Sequence, residues 1–242
     1  MTQEEHRPRQ TYKSEHVRLL FDSIAHKYDF LNHILSSGVD ILWRRRVVKL
    51  LRPYKPKHIL DIATGTADLA IETARLQPVS IVGVDISSKM LERGRKKVEA
   101  KNLDSIITLE IGEAERLRFE SGSFDAIVSA FGVRNFENLG RGLKELHRIL
   151  RIGGIAVILE FSRPRASLVR HIYKYYSRNI LPAVGGFISK NRQAYEYLPS
   201  TAANFPDGED FCAILRFIGF DTAVWFPQTF GIATIYVAEK KK

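Results

Sequence analysis

The sequence predicts an α/β fold: a seven-stranded, mostly parallel sheet closed by an antiparallel hairpin, behind a helical N-terminal cap. Three observations predict it. From His58 onward, short apolar runs alternate with helical patterns. The first run ends in an acid and a tight turn of small residues, Ile-Leu-Asp-Ile-Ala-Thr-Gly-Thr-Ala-Asp-Leu over 59–69. The last two runs, 222–226 and 229–239, are separated only by Pro227-Gln228, so they pair as a hairpin.

The elements follow in order. Residues 1–13 are polar and read as mobile. Apolar side chains at Val17, Leu20, Phe21, Ile24, Ala25 and Tyr28 keep a helical period. Asp40 to Leu51 reads as a second helix with Asp40 as its N-cap. Pro53 and Pro56 then divide the cap, 1–56, from the main domain, 57–242. In that domain a strand at 58–62 is followed by a helix at 68–76, a strand at 79–85 and a helix running from Ser87 or Ser88 to Lys101. Strands at 106–111 and 124–130, a helix at 138–150 and a strand at 154–161 complete the alternation, the last one after the turn Arg151-Ile152-Gly153-Gly154. Residues 163–205, with many aromatics, Pro182 and Gly185-Gly186, break the pattern and read as a substrate-side insertion. A helix at 208–218 precedes the closing hairpin.

Composition narrows the classes. With 45% hydrophobic residues in 242, the chain can bury a full core. Its single cysteine, Cys212, excludes an intrachain disulfide and fits a reducing compartment such as the cytoplasm. The start, MTQEEHRPRQ, lacks the apolar centre of a signal peptide, and no apolar run approaches the length of a membrane span. No metal-ligand spacing joins the 7 histidines. The net charge of +10 points to an anionic partner, either a membrane surface or nucleic acid.

The turn after the first strand carries the most chemistry. A second apolar run, Ile-Val-Gly-Val-Asp-Ile over 81–86, ends in Asp85, roughly 20 residues beyond it, the spacing of a nucleotide-binding βαβ unit. Asp85 is placed to accept from ribose hydroxyls. A dinucleotide site needs Gly-x-Gly-x-x-Gly against a pyrophosphate, but this turn has only Gly65. It is flanked by Asp61 and Asp68, two carboxylates that would repel a pyrophosphate and suit a ligand carrying an ammonium and a sulfonium. S-adenosyl-L-methionine is such a ligand, so a methyltransferase is expected. The plainer role for Asp61 is accepting from N–H groups of its own loop.

Further stretches carry a resemblance. They are Phe21 to Asn32 in the cap, Phe131-Gly132-Val133-Arg134-Asn135, Leu159-Glu160-Phe161-Ser162-Arg163-Pro164, and Pro199-Ser200-Thr201 with Phe205-Pro206. With these the chain resembles the quinone-biosynthesis C-methyltransferases, the UbiE/MenG family, over nearly its whole length, and most of all its demethylmenaquinone methyltransferases. The resemblance implies a class I SAM-dependent methyltransferase (Rossmann-like) fold. It implies cofactor contacts at Thr66, Asp85 and the pair Glu113-Ala114, where the family often has Asn or Asp in place of Glu113, beside the Gly65 of the small-residue turn. It also implies a polyprenylated demethylmenaquinol substrate, with a benzoquinol as the alternative.

Within that expectation, Arg134 stabilises negative charge on the quinol oxygen, Asn135 orients the hydroxyl, and Tyr28 helps close the site. A salt bridge at a helix start is the structural alternative for Arg134. The aromatics Tyr173, Tyr175, Tyr176 and Phe187, with Leu181 and Pro182, would line the path of the prenyl tail. The basic surface would hold the protein peripherally against an anionic membrane, at the inner face, and a homodimer is expected. Nucleic acid is not expected as a partner. The place after the fourth strand reads Ser129-Ala130-Phe131-Gly132 rather than the Pro-Pro-aromatic element of base-amino methyltransferases, and Cys212 lies far from the position of a cytosine-attacking cysteine.

Overall fold

The structure is a computed structural model that describes residues 11–27, 38–167, 170–171, 175, 197 and 201–242. Seven strands form one sheet in the order β3-β2-β1-β4-β5-β7-β6. They are β1 His58–Ile62, β2 Ser80–Asp85, β3 Ile107–Ile111, β4 Phe124–Ala130, β5 Leu150–Phe161, β6 Thr222–Gln228 and β7 Ala233–Lys240. β7 runs antiparallel to both β5 and β6, and the other pairings are parallel. The chain order reverses between β1 and β4, so their carboxyl ends open a crevice, the usual ligand position in such sheets.

Helices cover both faces. They are α1 Thr11–Ile24, α2 Val39–Leu51, α3 Asp68–Thr73, α4 Ser88–Glu99, α5 Leu139–Ile149 and α6 Glu209–Ile218. One face buries Trp43, Val47 and Leu51 of α2 with Leu69 and Ala70 of α3, Leu91 and Val98 of α4, and Ile59, Ile81 and Val157 of the sheet. The other buries Leu143 and Leu146 of α5 and Phe211 and Leu215 of α6 against Leu60, Ile127 and Tyr236. Parallel strands buried on both faces read as predominantly apolar runs, which is the pattern of β1 and β4, interrupted by the buried Asp61, Asp125 and Ser129.

Side-chain caps fix where two helices begin. Ser87 Oγ accepts from the Met90 N–H at the start of α4, and Asn138 Oδ1 accepts from the Arg141 N–H at the start of α5. α2 begins differently from expectation. Gly38 holds the N-cap position with φ 76°, and Asp40 sits inside the first turn, buried and ion-paired to Arg44. The Arg44 guanidinium also neutralises the acid, which removes it from capping duty.

Four other boundaries move. The N-terminal helix begins at Thr11, within the segment read as mobile, and α4 ends at Glu99 rather than Lys101. β5 starts at Leu150 because the expected turn is a bulge. The register slips between Phe124 and Ala126 of β4, and Gly153 takes φ 78°. The hairpin turns at Thr229–Gly231, past Pro227-Gln228, which belong to β6. Proline is tolerated there because β6 is an edge strand.

Candidate active site

The crevice between β1 and β4 is a cleft of about 710 Å³, its open mouth included. That volume suits a ligand of several hundred daltons. Its wall comes from four strand ends and from α1. Ala63 and Gly65 follow β1. Asp85 and Ile86 follow β2, Gly112, Glu113 and Ala114 follow β3, and Phe131, Gly132 and Asn135 follow β4. Val17 and Phe21 of α1 close one side. α1 is held there by Asp22, whose Oδ1 accepts from Ser87 Oγ at 2.6 Å.

The turn after β1 is wound tightly. Ala63, Gly65 and Ala67 all take positive φ, at 53°, 57° and 65°. Such geometry at alanine is uncommon and stores strain where the backbone must approach a ligand. Phe131, the first residue after β4, does the same with φ 60°. The two loops touch closely: a Cβ on Gly132 would come 2.4 Å from the Cβ of Ala63.

Two carboxylates organise this turn. Asp85 Oδ2 accepts from the Gly65 N–H and its Oδ1 from the Ser87 N–H, both at 2.8 Å. Burial pushes the Asp85 carboxyl up, those N–H groups pull it down, and nearby Asp22 adds to the rise. Asp61 is 1% exposed. Its Oδ2 accepts from Thr64 Oγ1 at 2.6 Å and from the Ala70 N–H at 3.0 Å. Its Oδ1 is buried with no hydrogen-bond partner among the described residues. Burial pushes its carboxyl up to about 7, opposed by the Thr64 and Ala70 hydrogen bonds and reinforced by Asp85 and Asp68. A half-satisfied, buried carboxylate of this kind is relieved by a bound cation. The donor set therefore fits S-adenosyl-L-methionine: Asp61 favours positive charge, Asp85 offers acceptors for hydroxyls, and the bare backbone of Gly65 faces open space.

The expected residues divide into two groups. Gly65, Asp85, Glu113, Ala114 and Asn135 share the cleft wall. Asp61, Thr66 and Arg134 are not part of that wall. Thr66 is buried and its Oγ1 accepts from Lys97 Nζ at 3.1 Å. Glu113 is exposed, and its backbone forms a bridge to Arg116. Arg134 makes the ion pair of the structural alternative. Its Nη1 lies 2.5 Å from Glu160 Oε1, and the same nitrogen donates to the Phe131 carbonyl at 2.6 Å. Its guanidinium also stacks over the Phe161 ring at 5.3 Å. Tyr28, Tyr173, Tyr176, Leu181, Pro182 and Phe187 lie outside the described residues, and Tyr175 is exposed.

Sequence reasoning missed four participants. Glu160 is fully buried and fixes Arg134. Its signal was present: like Asp61 and Asp85 it is an acid near the carboxyl end of an apolar strand. Glu137 lines the cleft, and its Oε1 and the Asn135 Oδ1 are both buried without a hydrogen-bond partner among the described residues. Phe136, between them, lines the same cleft, and its ring packs against Gly142. Val17 and Phe21 show helical periodicity but nothing in the sequence that places them on a cleft.

Sheet order, switch-point cleft and paired acids define a SAM-dependent methyltransferase, and solved structures agree on the fold. A SAM-dependent methyltransferase of Thermotoga maritima superposes with a TM-score of 0.62 at 20% identity, covering 92% of this chain and 99% of that one. Phosphoethanolamine N-methyltransferase 2 of Haemonchus contortus, solved with S-adenosyl-L-methionine, gives 0.59 at 18% identity over 81% of this chain and 52% of that one. The ubiE/COQ5 methyltransferase family profile matches residues 9–240, and the chain belongs to that family. A ubiquinone/menaquinone biosynthesis C-methyltransferase UbiE of Geotalea uraniireducens is 46% identical over 232 residues, 95% of this chain and 98% of its own. A demethylmenaquinone methyltransferase of Bacteroides fragilis is 43% identical over 229 residues, 94% of each chain.

Proposed function

We propose that this methyltransferase converts demethylmenaquinol to menaquinol by methylating a ring carbon of the quinol. The observation that carries the reading is the Arg134-Asn135 pair after β4. Asn135 lines the cleft and carries a buried amide oxygen with no partner among the described residues, and Arg134 beside it is held by Glu160. The relatives named for this reaction, in Bacteroides fragilis and Chlorobaculum tepidum, support it.

The bound donor supplies an electrophilic methyl group on a positively charged sulfur. The chain must then align a ring carbon with it and make that carbon nucleophilic. Arg134 cannot accept a proton, so it acts as a fixed positive charge that stabilises the developing phenolate. Asn135 Oδ1 accepts from the quinol hydroxyl and orients it. The Glu137 carboxylate, on the same wall, takes the hydroxyl proton; as the ring carbon gains the methyl group the methyl–sulfur bond breaks and leaves a neutral thioether, and the ring carbon then loses its own proton while the oxygen is reprotonated, which restores the aromatic quinol. Phe131, stacked on Phe161 with ring centroids 4.4 Å apart, keeps water from that side of the cleft. On the donor side, Asp61 would hold the ammonium, Asp85 the ribose hydroxyls, and Glu113-Ala114 the adenine edge.

A second reading, methylation of a polyprenyl benzoquinol, is favoured by the relatives named for both ubiquinone and menaquinone biosynthesis. In either case the prenyl tail stays in lipid. The excess of 37 Lys and Arg over 27 Asp and Glu supports a peripheral contact with an anionic leaflet, at the cytoplasmic face of the inner membrane. The same reading takes the protein as a homodimer acting without nucleic acid; Val224 and Phe226, partly exposed on edge strand β6, support self-association.

The test is incubation with labelled methyl donor, a short-tailed demethylmenaquinol and a matching benzoquinol. Label is expected on the naphthoquinol ring at a rate at least about tenfold above that on the benzoquinol, a discrimination within reach of pocket fit alone. No label on either quinol, from protein that binds the donor, would remove the reading.

A further inference from the structure

The hairpin turn Thr229–Gly231 stands at the same sheet edge as the cleft, because Ala233 pairs with Phe161 at the carboxyl end of β5. Its backbone is unusual. Thr229, Phe230 and Gly231 all take positive φ, at 44°, 58° and 86°. A β-branched residue and an aromatic one adopt this region only when the surroundings force it. The forcing contacts are visible. Trp43 Nε1 donates to Thr229 Oγ1 at 2.9 Å. Ser162 donates its N–H to the Ile232 carbonyl at 3.0 Å and its hydroxyl to the Gly231 carbonyl at 2.9 Å. The product of this pinned turn is a phenyl ring 81% exposed to solvent.

The surroundings are cationic. A Cβ on Gly231 would lie 3.5 Å from the Pro164 Cα, so the turn packs on the corner at 163–165. Three arginines wrap that corner. Arg163 is ion-paired to Asp207. Arg170 donates to the Pro164 and Arg165 carbonyls, and Arg165 stacks over Trp225 at 4.4 Å. Neither Arg165 nor Arg170 forms an ion pair among the described residues. An exposed aromatic on a pinned turn, beside three guanidinium groups that share the single carboxylate of Asp207 and a Trp, matches the interface of an anionic bilayer, where rings sit at headgroup depth and cations meet lipid phosphate.

We propose that Phe230 is a membrane-docking tip, which inserts among anionic lipid headgroups and sets the cleft mouth against the bilayer that holds the prenylated substrate. The inference rests on the quinol reading for its purpose, but the docking is measurable without any quinol.

Sedimentation with vesicles of phosphatidylglycerol and of phosphatidylcholine tests it. The wild-type protein is expected to bind the anionic vesicles, and Phe230→Ser to bind them about tenfold more weakly, the scale of losing one buried aromatic side chain. Because Phe230 is exposed, that variant keeps its fold and its donor binding, and keeps turnover of a short-tailed, water-soluble quinol. Phe230→Trp should show a blue-shifted emission on anionic vesicles, quenched by brominated lipid. Unchanged vesicle binding by Phe230→Ser overturns the proposal. So does equal wild-type binding to both lipids, binding to neither, or an equal loss of turnover on the soluble quinol, which would make Phe230 part of the active site. If no quinol is methylated but anionic vesicles are bound through Phe230, the substrate reading fails and the docking stands.

Discussion

Glu160 grips Arg134 twice: its Oε1 lies 2.5 Å from Arg134 Nη1, and its Oε2 accepts the Arg134 backbone N–H at 3.2 Å. Both side chains are almost wholly buried, at 2% and 0% exposure. An arginine held this way cannot swing with the substrate. In the proposed mechanism it therefore acts from a fixed position, with Glu160 balancing its charge.

Arg134→Ala is expected to abolish methylation while folded protein still binds the donor. The variant strands a buried carboxylate, which costs about 3–5 kcal/mol of stability. The double variant Arg134→Met, Glu160→Gln removes both charges and should recover most of that loss. Methylation that stays abolished in the stable double variant assigns the effect to chemistry. A near-normal rate in either variant removes Arg134 from the mechanism.

The burial of Asp61 carries a cost in stability that depends on pH. Its folded-state carboxyl, at about 7, lies well above the usual range. Between pH 4 and pH 7 the native protein therefore holds a proton that the unfolded chain has lost. Stability falls as pH rises through that window, by on the order of 4 kcal/mol in total. Asp61→Asn should flatten this slope and raise the melting temperature at pH 8 relative to wild type. The same variant should bind the cationic donor at least about tenfold more weakly, and wild-type affinity should climb with pH up to about 7. Thermal unfolding and calorimetric titration at pH 5 and pH 8 check both signs.

The elements legible in the sequence are those whose pattern is set locally. β1 and β4 were readable to the residue because strands buried on both faces are predominantly apolar runs. The start of α4 was readable because Ser87 caps it. The start of α2 was not, since Asp40 is claimed by Arg44, a contact that only packing decides. For the site, the sequence marked which residues gather at the strand ends but not which way each one faces. Asp61 and Arg134 stand off the wall, and Glu137, which carries no motif, is on it. Side-chain direction after a strand depends on loop conformation, here the positive φ of Ala63 and Phe131, and no pattern of residue types announces that geometry.

Asp85→Ala removes two acceptors at once, for the Gly65 and Ser87 N–H groups. Donor affinity should fall by more than about tenfold, because the turn loosens and the hydroxyl acceptors disappear. Unchanged affinity in calorimetry would place the ribose elsewhere.

Gly132→Ala is a steric probe of the switch point. The added methyl would sit 2.4 Å from the Ala63 Cβ, so the loops after β1 and β4 must part. We expect a loss of about 1–3 kcal/mol in urea unfolding, with weakened donor binding. A neutral substitution would mean that the two loops move independently.

The most direct measurement is a crystal structure of the protein soaked in S-adenosyl-L-methionine. The account predicts the donor in the cleft, its ammonium satisfying the Asp61 oxygen that now lacks a partner, its ribose on Asp85, and its methyl group facing Asn135. A donor bound away from the turn, or a turn that accepts pyrophosphate and excludes the sulfonium, would contradict it.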